Sequence, residues 1–408
     1  MGYGRALTES PSRRISQSVM TPHTATIDLG PGLQLLLVAA LLAMGPLLWV
    51  WLRRQPGDRV DLRRRLTLLT VFLTFDLILF GAFTRLSDSG LGCPDWPGCY
   101  GSASPLGAQE SIAAAQAAMP TGPVTHTKAW IEMVHRYLAS GVGAVIVVLL
   151  WLAWSARRQT GAPNRGPGLG WPLLTLVWVC VQGAFGALTV TMKLFPAIVT
   201  LHLLGGLGLL ALLAMQAERL NRLPHGQAPI VLDRLTRRLL YAACLVLGIQ
   251  VVLGGWVSTN YAVLACAEFP QCQGSWWPEM HFEQALQIWR PLGYLADGQT
   301  ISFAALTAIH MLHRLFAVLV VLVLLGLAWR LYRLAATRLQ ARGLLALLSL
   351  QLGTGLANVV LGWPLLAAVL HTGGAAALVL LLAWLVAGTT SRRTSLDAPG
   401  WPSSWVKP

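Results

Sequence analysis

The sequence predicts an all-α integral membrane protein: two tandem, parallel four-helix transmembrane bundles, preceded by one extra N-terminal transmembrane helix. Three observations predict it. Of 408 residues, 55% are hydrophobic and only 11% charged, where a soluble domain carries about a quarter charged. Apolar runs of membrane-spanning length recur along the chain. One nine-residue device occurs twice, as CPDWPGCYG at 93–101 and CAEFPQCQG at 266–274.

The candidate spans are 31–52, 66–86, 128–154, 171–191, 196–216, 238–257, 303–329, 341–361 and 365–388. Each satisfies its own backbone as a helix, as lipid requires. The alternating strands of a membrane barrel are not seen. The net charge of +14 raises the question of nucleic acid, but its distribution argues against that partner. Six arginines fall in 53–65, three in 155–170, five in 217–238 and four in 330–342, with Arg392, Arg393 and Lys407 in the tail. The loop 87–127 has no Lys or Arg and 258–302 has only Arg290. This positive-inside pattern predicts a multi-pass protein of the bacterial inner membrane, with the cysteine loops periplasmic and the C-terminus cytoplasmic. The first span leaves residues 1–30, with Arg5, Arg13 and Arg14, outside, and it is too long and too far along the chain for a simple cleaved signal.

The repeat reaches beyond the loops. FGAFTRL (80–86) matches LGGWVST (253–259), and IEMVHRYLA (131–139) matches IHMLHRLFA (309–317). QGAFGALT (182–189) pairs with QLGTGLAN (351–358), and VTLHLLGG (199–206) with AVLHTGGA (368–375). The predicted organisation is therefore a tail, extra helix and basic loop over 1–65, a first bundle over 66–216 and a basic linker over 217–237. A second bundle over 238–388 and a cytoplasmic tail over 389–408 complete it. Four spans per copy return the chain to the same side, so the repeats are parallel.

Outside the cytoplasm, disulfides form and persist. Cys93 and Cys99 lie six apart, as do Cys266 and Cys272, so each pair can close a short ring. A structural staple, a redox-active dithiol, free thiols and a metal site all stay open for them. Cys180 and Cys244 lie within apolar spans and are expected to pack there.

Inside the membrane, the first copy holds His135 and His202 and the second His313 and His371. Each lies about one to three turns from the outer end of its span. A lone intramembrane histidine is often a packing residue; four, paired in two copies, point to function. Opposed imidazoles in a four-helix core suit the two faces of a haem iron. Gly205, Gly206, Gly373 and Gly374 would let a porphyrin approach the backbone, or serve ordinary helix packing. Zinc is weaker, because structural sites want four ligands, and a proton pathway would more typically add carboxylates. Arg136 and Arg314 follow the histidines directly, and Arg85 ends its span; all three are candidates for porphyrin propionates, with snorkelling to the surface as the alternative.

The copies differ at one informative place. Glu132 in the first is matched by His310 in the second, and Glu132 shares a helix face with His135. A carboxylate there suits proton transfer, or an ion pair with Lys128 or Arg136. His310 is a spare ligand or a polar contact. Asp76 stands mid-span, where it is expected protonated or paired inside the bundle, with no role in the reaction assigned.

TRLSDSGLGCPDWPGCYG at 84–101, EMVHR at 132–136, LH at 201–202, HR at 313–314 and LH at 370–371 together resemble the haem A synthase family, over about 66–388. The resemblance implies an oxidoreductase that converts haem O to haem A. It oxidises the C8 methyl to a formyl by successive hydroxylations, a gem-diol losing water, for cytochrome oxidase biogenesis. It implies haem b as cofactor on His313 and His371, haem O as substrate at His135 and His202, and Glu132 as the catalytic carboxylate. Haem O synthase, oxidase assembly factors, an electron donor or acceptor and the lipid bilayer are the expected partners; a homo-oligomer stays open. The family's eight-helix core does not require span 31–52.

Three other activities compete: a bis-histidine di-haem cytochrome b, a thiol–disulfide oxidoreductase working with quinone, and a haem carrier. Substitution separates the thiol chemistry from the rest. If the cysteine loops carry the activity, Cys→Ser changes abolish it and His135→Ala does not; haem chemistry predicts that His135→Ala abolishes it.

Overall fold

A computed structural model of the chain describes residues 30–53, 59–159, 168–222 and 228–391. Among the described residues, nine helices are long and apolar enough to cross a membrane. They are α1 (Gly30–Leu52), α2 (Arg59–Leu86), α4 (His126–Gln159), α5 (Gly170–Thr191), α6 (Pro196–Arg222), α7 (Arg234–Thr259), α9 (Phe303–Tyr332), α10 (Arg338–Val360) and α11 (Leu365–Gly388). Two short helices, α3 (Gln109–Ala118) and α8 (Phe282–Ala285), lie in the long loops. Two three-residue strands, β1 (Ile230–Leu232) and β2 (Thr389–Ser391), pair in parallel at the end opposite the cysteines.

All nine expected spans are helices, and several overrun their expected ends. The helix α2 begins at Arg59, α4 runs to Gln159 and α6 to Arg222. Hydropathy marks only the stretch that lipid must cover, whereas arginine is a good helix former whose stem lies along the apolar surface. The overrun is held locally. Asp61 pairs with Arg64 at 2.8 Å and also with Arg65. Arg158 lies 3.8 Å from the Trp154 ring centre and Arg219 lies 3.9 Å from that of Trp171, cation–π contacts suited to a membrane interface.

In the first half, α2 packs on α4 and α6, and α5 packs on the same two helices. In the second half, α7 and α10 each pack on both α9 and α11. The helices thus close two rings of four, and the histidine-bearing helices stand on the diagonals, α4 opposite α6 and α9 opposite α11. The rings join where α11 lies against α6 and α2, and α6 against α7. Leucines fill the second ring toward its β-strand end, among them Leu240, Leu324, Leu331, Leu344 and Leu382. The first ring's core takes in Val251 and Ala376 from the other half, so the join is packed rather than merely touching. The helix α1 lies outside against α4 and α2, with most of its leucines exposed.

The nine-residue device has the same shape twice. Cys93–Cys99 and Cys266–Cys272 are disulfides, each with its Cα atoms 4.9 Å apart. Tyr100 and Gly101 turn through positive φ, as do Gln273 and Gly274. The acid inside each ring holds that turn: Asp95 accepts from the N–H groups of Tyr100 (2.6 Å) and Gly101 (2.7 Å), and Glu268 from that of Gly274 (3.0 Å). Two expectations need correction. Cys180 is exposed on the outer face of α5 and does not pack, although Cys244 does. Asp76 is exposed on α2, where lipid would surround it, so it does not stand inside the bundle.

Asp233 caps α7, accepting from the N–H groups of Leu235 (3.0 Å) and Thr236 (3.1 Å), and binds Arg330 of α9 at 2.9 Å. Its carboxyl is held down to about 2, chiefly by the Thr236 hydroxyl, then by the Thr236 N–H and Arg330, against a smaller opposing effect of burial. Its stabilisation is therefore complete above the ordinary carboxylate range and is lost as pH falls through about 2. Asp233→Ala should cost about 1 kcal/mol at neutral pH, read by unfolding in detergent, and the difference from wild type should vanish near pH 2.

Candidate functional site

The four histidines enter on helices that all begin at the cysteine end. His135 is nine residues into α4, His313 ten into α9, and His202 and His371 each six into α6 and α11. At about 1.5 Å per residue these depths span roughly 9–15 Å.

Each imidazole rests against a glycine of the preceding helix. A Cβ on Gly81 would stand 2.9 Å from His135 Nε2, and one on Gly254 would stand 3.0 Å from His313 Cε1. On Gly355 it would come within 3.3 Å of His371 Cε1, and on Gly186 within 3.6 Å of His202 Cε1. The first three are notches that a side chain would crowd, while at Gly186 a Cβ would make only ordinary contact; these glycine contacts are the feature sequence reasoning missed. Their signal was present: each glycine lies inside a segment that the repeat alignment paired. The glycines singled out from the sequence do other work. A Cβ on Gly205 would strike Gln182 Nε2 at 1.9 Å, and one on Gly374 would strike Gln351 Nε2 at 2.1 Å. Both therefore seat a glutamine, while Gly373 meets Leu79 across the join and Gly206 faces Ile78.

The partners of the imidazoles differ between the rings. In the second, the Thr354 hydroxyl lies 2.9 Å from His371 Nδ1, and Gln351 donates to the His371 carbonyl at 2.9 Å. Gln250 Nε2 donates to the His313 carbonyl at 3.2 Å and lies 3.1 Å from its Nδ1. In the first, His202 Nδ1 is buried without a partner, and the Phe80 ring stacks 6.3 Å from that of His135.

Glu132 lies one turn outward of His135 and is almost fully enclosed. One oxygen accepts from Arg136 at 2.5 Å, and the other from the Cys93 N–H at 2.8 Å. The ion pair is thus with Arg136, while Lys128 donates to the Gly122 carbonyl. Arg136 also donates to the carbonyls of Asp95 (2.9 Å) and Gly98 (2.5 Å). In the second ring Arg314 donates to His310 Nε2 at 2.9 Å and to the carbonyls of Gln271 and Cys266, both at 3.2 Å. His310 Nδ1 meets the Ala262 carbonyl at 2.9 Å. Both its nitrogens are engaged, so His310 is a polar contact here and not a spare ligand. Arg85 donates to the Ser258 carbonyl (2.7 Å) and the Tyr261 hydroxyl (3.0 Å), tying α2 to the end of α7. The three arginines expected at propionates thus all hold protein acceptors at the outer ends of the rings.

Two imidazoles per ring, on diagonal helices and cradled by glycine, fit a flat group ligated from two sides. Among the described residues no three His, Cys, Asp or Glu side chains converge as a metal-ion site.

Residues 64–383 match the family model COX15-CtaA, described as cytochrome oxidase assembly protein. A haem A synthase of Shewanella oneidensis is 37% identical over 79% of this chain and 97% of its own length. The chain belongs to the haem A synthase family. More distant haem A synthases include that of Rhizorhabdus wittichii, 27% identical over 55% of this chain and 67% of its own. That of Alkalihalophilus pseudofirmus is 26% identical over 54% of this chain and 68% of its own. The match to the COX15-CtaA model spans all four histidines and leaves out α1.

The side chains of Arg136 and Glu132 retain only 10% and 5% of their exposure. Arg136→Ala would strand the carboxylate, at a cost of about 3–5 kcal/mol. Glu132→Gln leaves no unpaired charge on its own side chain and should cost less. Thermal unfolding of the two variants in one detergent checks the order.

Proposed function

We propose that this chain oxidises the C8 methyl of haem O to the formyl of haem A, for cytochrome oxidase assembly, as an oxidoreductase with one ring for the substrate and one for a resident haem b. The two rings are read as parallel copies of one bundle, 66–216 and 238–388, with the cysteine loops on the periplasmic side of the inner membrane. The observation that carries the reading is the pair of imidazoles on diagonal helices of each ring, with a carboxylate beside only one pair.

His313 and His371 would hold haem b, whose iron supplies the one-electron traffic that no side chain here provides. His135 and His202 would contact haem O, whose long apolar tail suits a slot open to lipid. Glu132 stands one turn from His135, where its carboxylate would take or hold a proton as the methyl is oxidised. To do so it must give up the Arg136 contact or share it, since both carboxylate oxygens are engaged. Propionates at the outer ends of the slots would compete with the protein acceptors that now hold Arg85, Arg136 and Arg314. Haem O synthase is the natural supplier and oxidase assembly factors the natural recipients; an electron partner and a homo-oligomer belong to the same proposal.

The test is direct. The chain and its Glu132→Ala variant are expressed in membranes that make haem O, and the extracted haems are weighed by mass spectrometry. Wild type should yield the formyl product and Glu132→Ala should lose most of it. Haem O unchanged by wild type would end the proposal.

A further inference from the structure

We propose that Thr354 is a positioning residue that commits His371 to offer its Nε2 to the resident haem, whereas Phe185, its counterpart, leaves His202 uncommitted so that the first ring can release its product. The assignment rests on the two-haem reading above.

The repeat sets the comparison. With Gly355 placed on Gly186, Gln351 falls on Gln182 and Thr354 on Phe185, and the facing histidines are His371 and His202. The Thr354 hydroxyl has one hydrogen, which is directed to the Leu350 carbonyl at 2.7 Å, with the Gln351 carbonyl at 3.3 Å. Toward His371 Nδ1, 2.9 Å away, it therefore offers only a lone pair. The ring must donate, so its hydrogen sits on Nδ1 and Nε2 is bare. The ring edge nearest Gly355 carries Cε1 (3.3 Å) and Nδ1 (3.8 Å), and Nε2 is not among the ring atoms that a Cβ there would meet. Gln351 holds the backbone beneath, donating to the His371 carbonyl at 2.9 Å.

The first ring keeps a glycine contact, with His202 Cε1 facing Gly186, but lacks the polar partners. Phe185 has no acceptor, and His202 Nδ1 is buried without a partner. Gln182 Oε1 is likewise buried and unpartnered. Nothing among the described residues sets the tautomer of His202. The other imidazole of that ring, His135, has its Nε2 as the atom nearest the Gly81 notch, so it must turn to reach a shared ligand. A histidine whose second nitrogen is already bonded presents its ligating atom at little cost, and such outer partners commonly change affinity by about 10–100-fold. A resident cofactor gains from that, while a group that must leave after reaction does not.

Three full-length variants, purified with bound haem, test the assignment. Thr354→Val keeps the shape and removes the acceptor; Thr354→Ser keeps the hydroxyl. The readouts are the rate of haem loss to excess apomyoglobin and the midpoint potential of the tightly held haem. Thr354→Val should lose its resident haem about tenfold faster, with the potential moved positive because the imidazole donates less electron density. Thr354→Ser should match wild type. Phe185→Thr should slow loss of the exchangeable haem, and it reads the same idea should Thr354→Val fail to fold. Wild-type rate and potential in Thr354→Val, or unchanged release in Phe185→Thr, would overturn the assignment. A wild-type protein with no haem at all would instead sink the two-haem reading beneath it.

Discussion

Placing an imidazole inside a lipid-spanning bundle imposes two demands, and most of this structure answers them. The ring needs room that ordinary helix packing does not leave, and its nitrogens need partners that lipid does not offer. Glycine meets the first demand. Gly81, Gly254 and, less tightly, Gly355 each open a notch on the spanning helix before the histidine, so the ring lies where a side chain would crowd it. The second demand is met unevenly, and that unevenness is where the two halves part company.

Duplication explains the frame, and divergence explains the chemistry. Both rings keep the disulfide loop, the acid that holds its turn, the arginine one residue past the histidine and the glutamine seated on a glycine. What changes is polarity at matched positions. Glu132 accepts a loop N–H where His310 meets a loop carbonyl, so the same anchoring task is done by a carboxylate in one half and a neutral ring in the other. Only the first half has a carboxylate at this position. Thr354 and Phe185 form a second such pair, one bonding its histidine and the other not.

The disulfide loops connect these differences to the outer surface. Arg136 and Arg314 reach up from the helices to loop carbonyls, and Arg85 crosses from the first half to the second. A guanidinium has enough donors to gather several carbonyls at once, which is why one residue can fasten a whole turn over the end of a ring.

Hydropathy, charge asymmetry and the repeat were enough to locate all nine spans, the cysteine loops and the four histidines. Each of those depends on local composition or on spacing along the chain. Helix ends were legible only to about two turns, since arginines extend α2, α4 and α6 beyond the apolar stretch. What composition could not say is which face of a helix meets which neighbour. Gly205 and Gly374 looked like porphyrin faces but seat Gln182 and Gln351, and the protein acceptors that Arg85, Arg136 and Arg314 hold were not legible at all. Asp76 looked interior and is exposed. By itself the sequence determined that the chain spans the membrane as two related halves carrying a histidine pair each. Tertiary structure alone decided which glycine receives each ring and which nitrogen is bonded, because both depend on the rotation of neighbouring helices about their axes, and that is set by contacts between residues far apart in the chain.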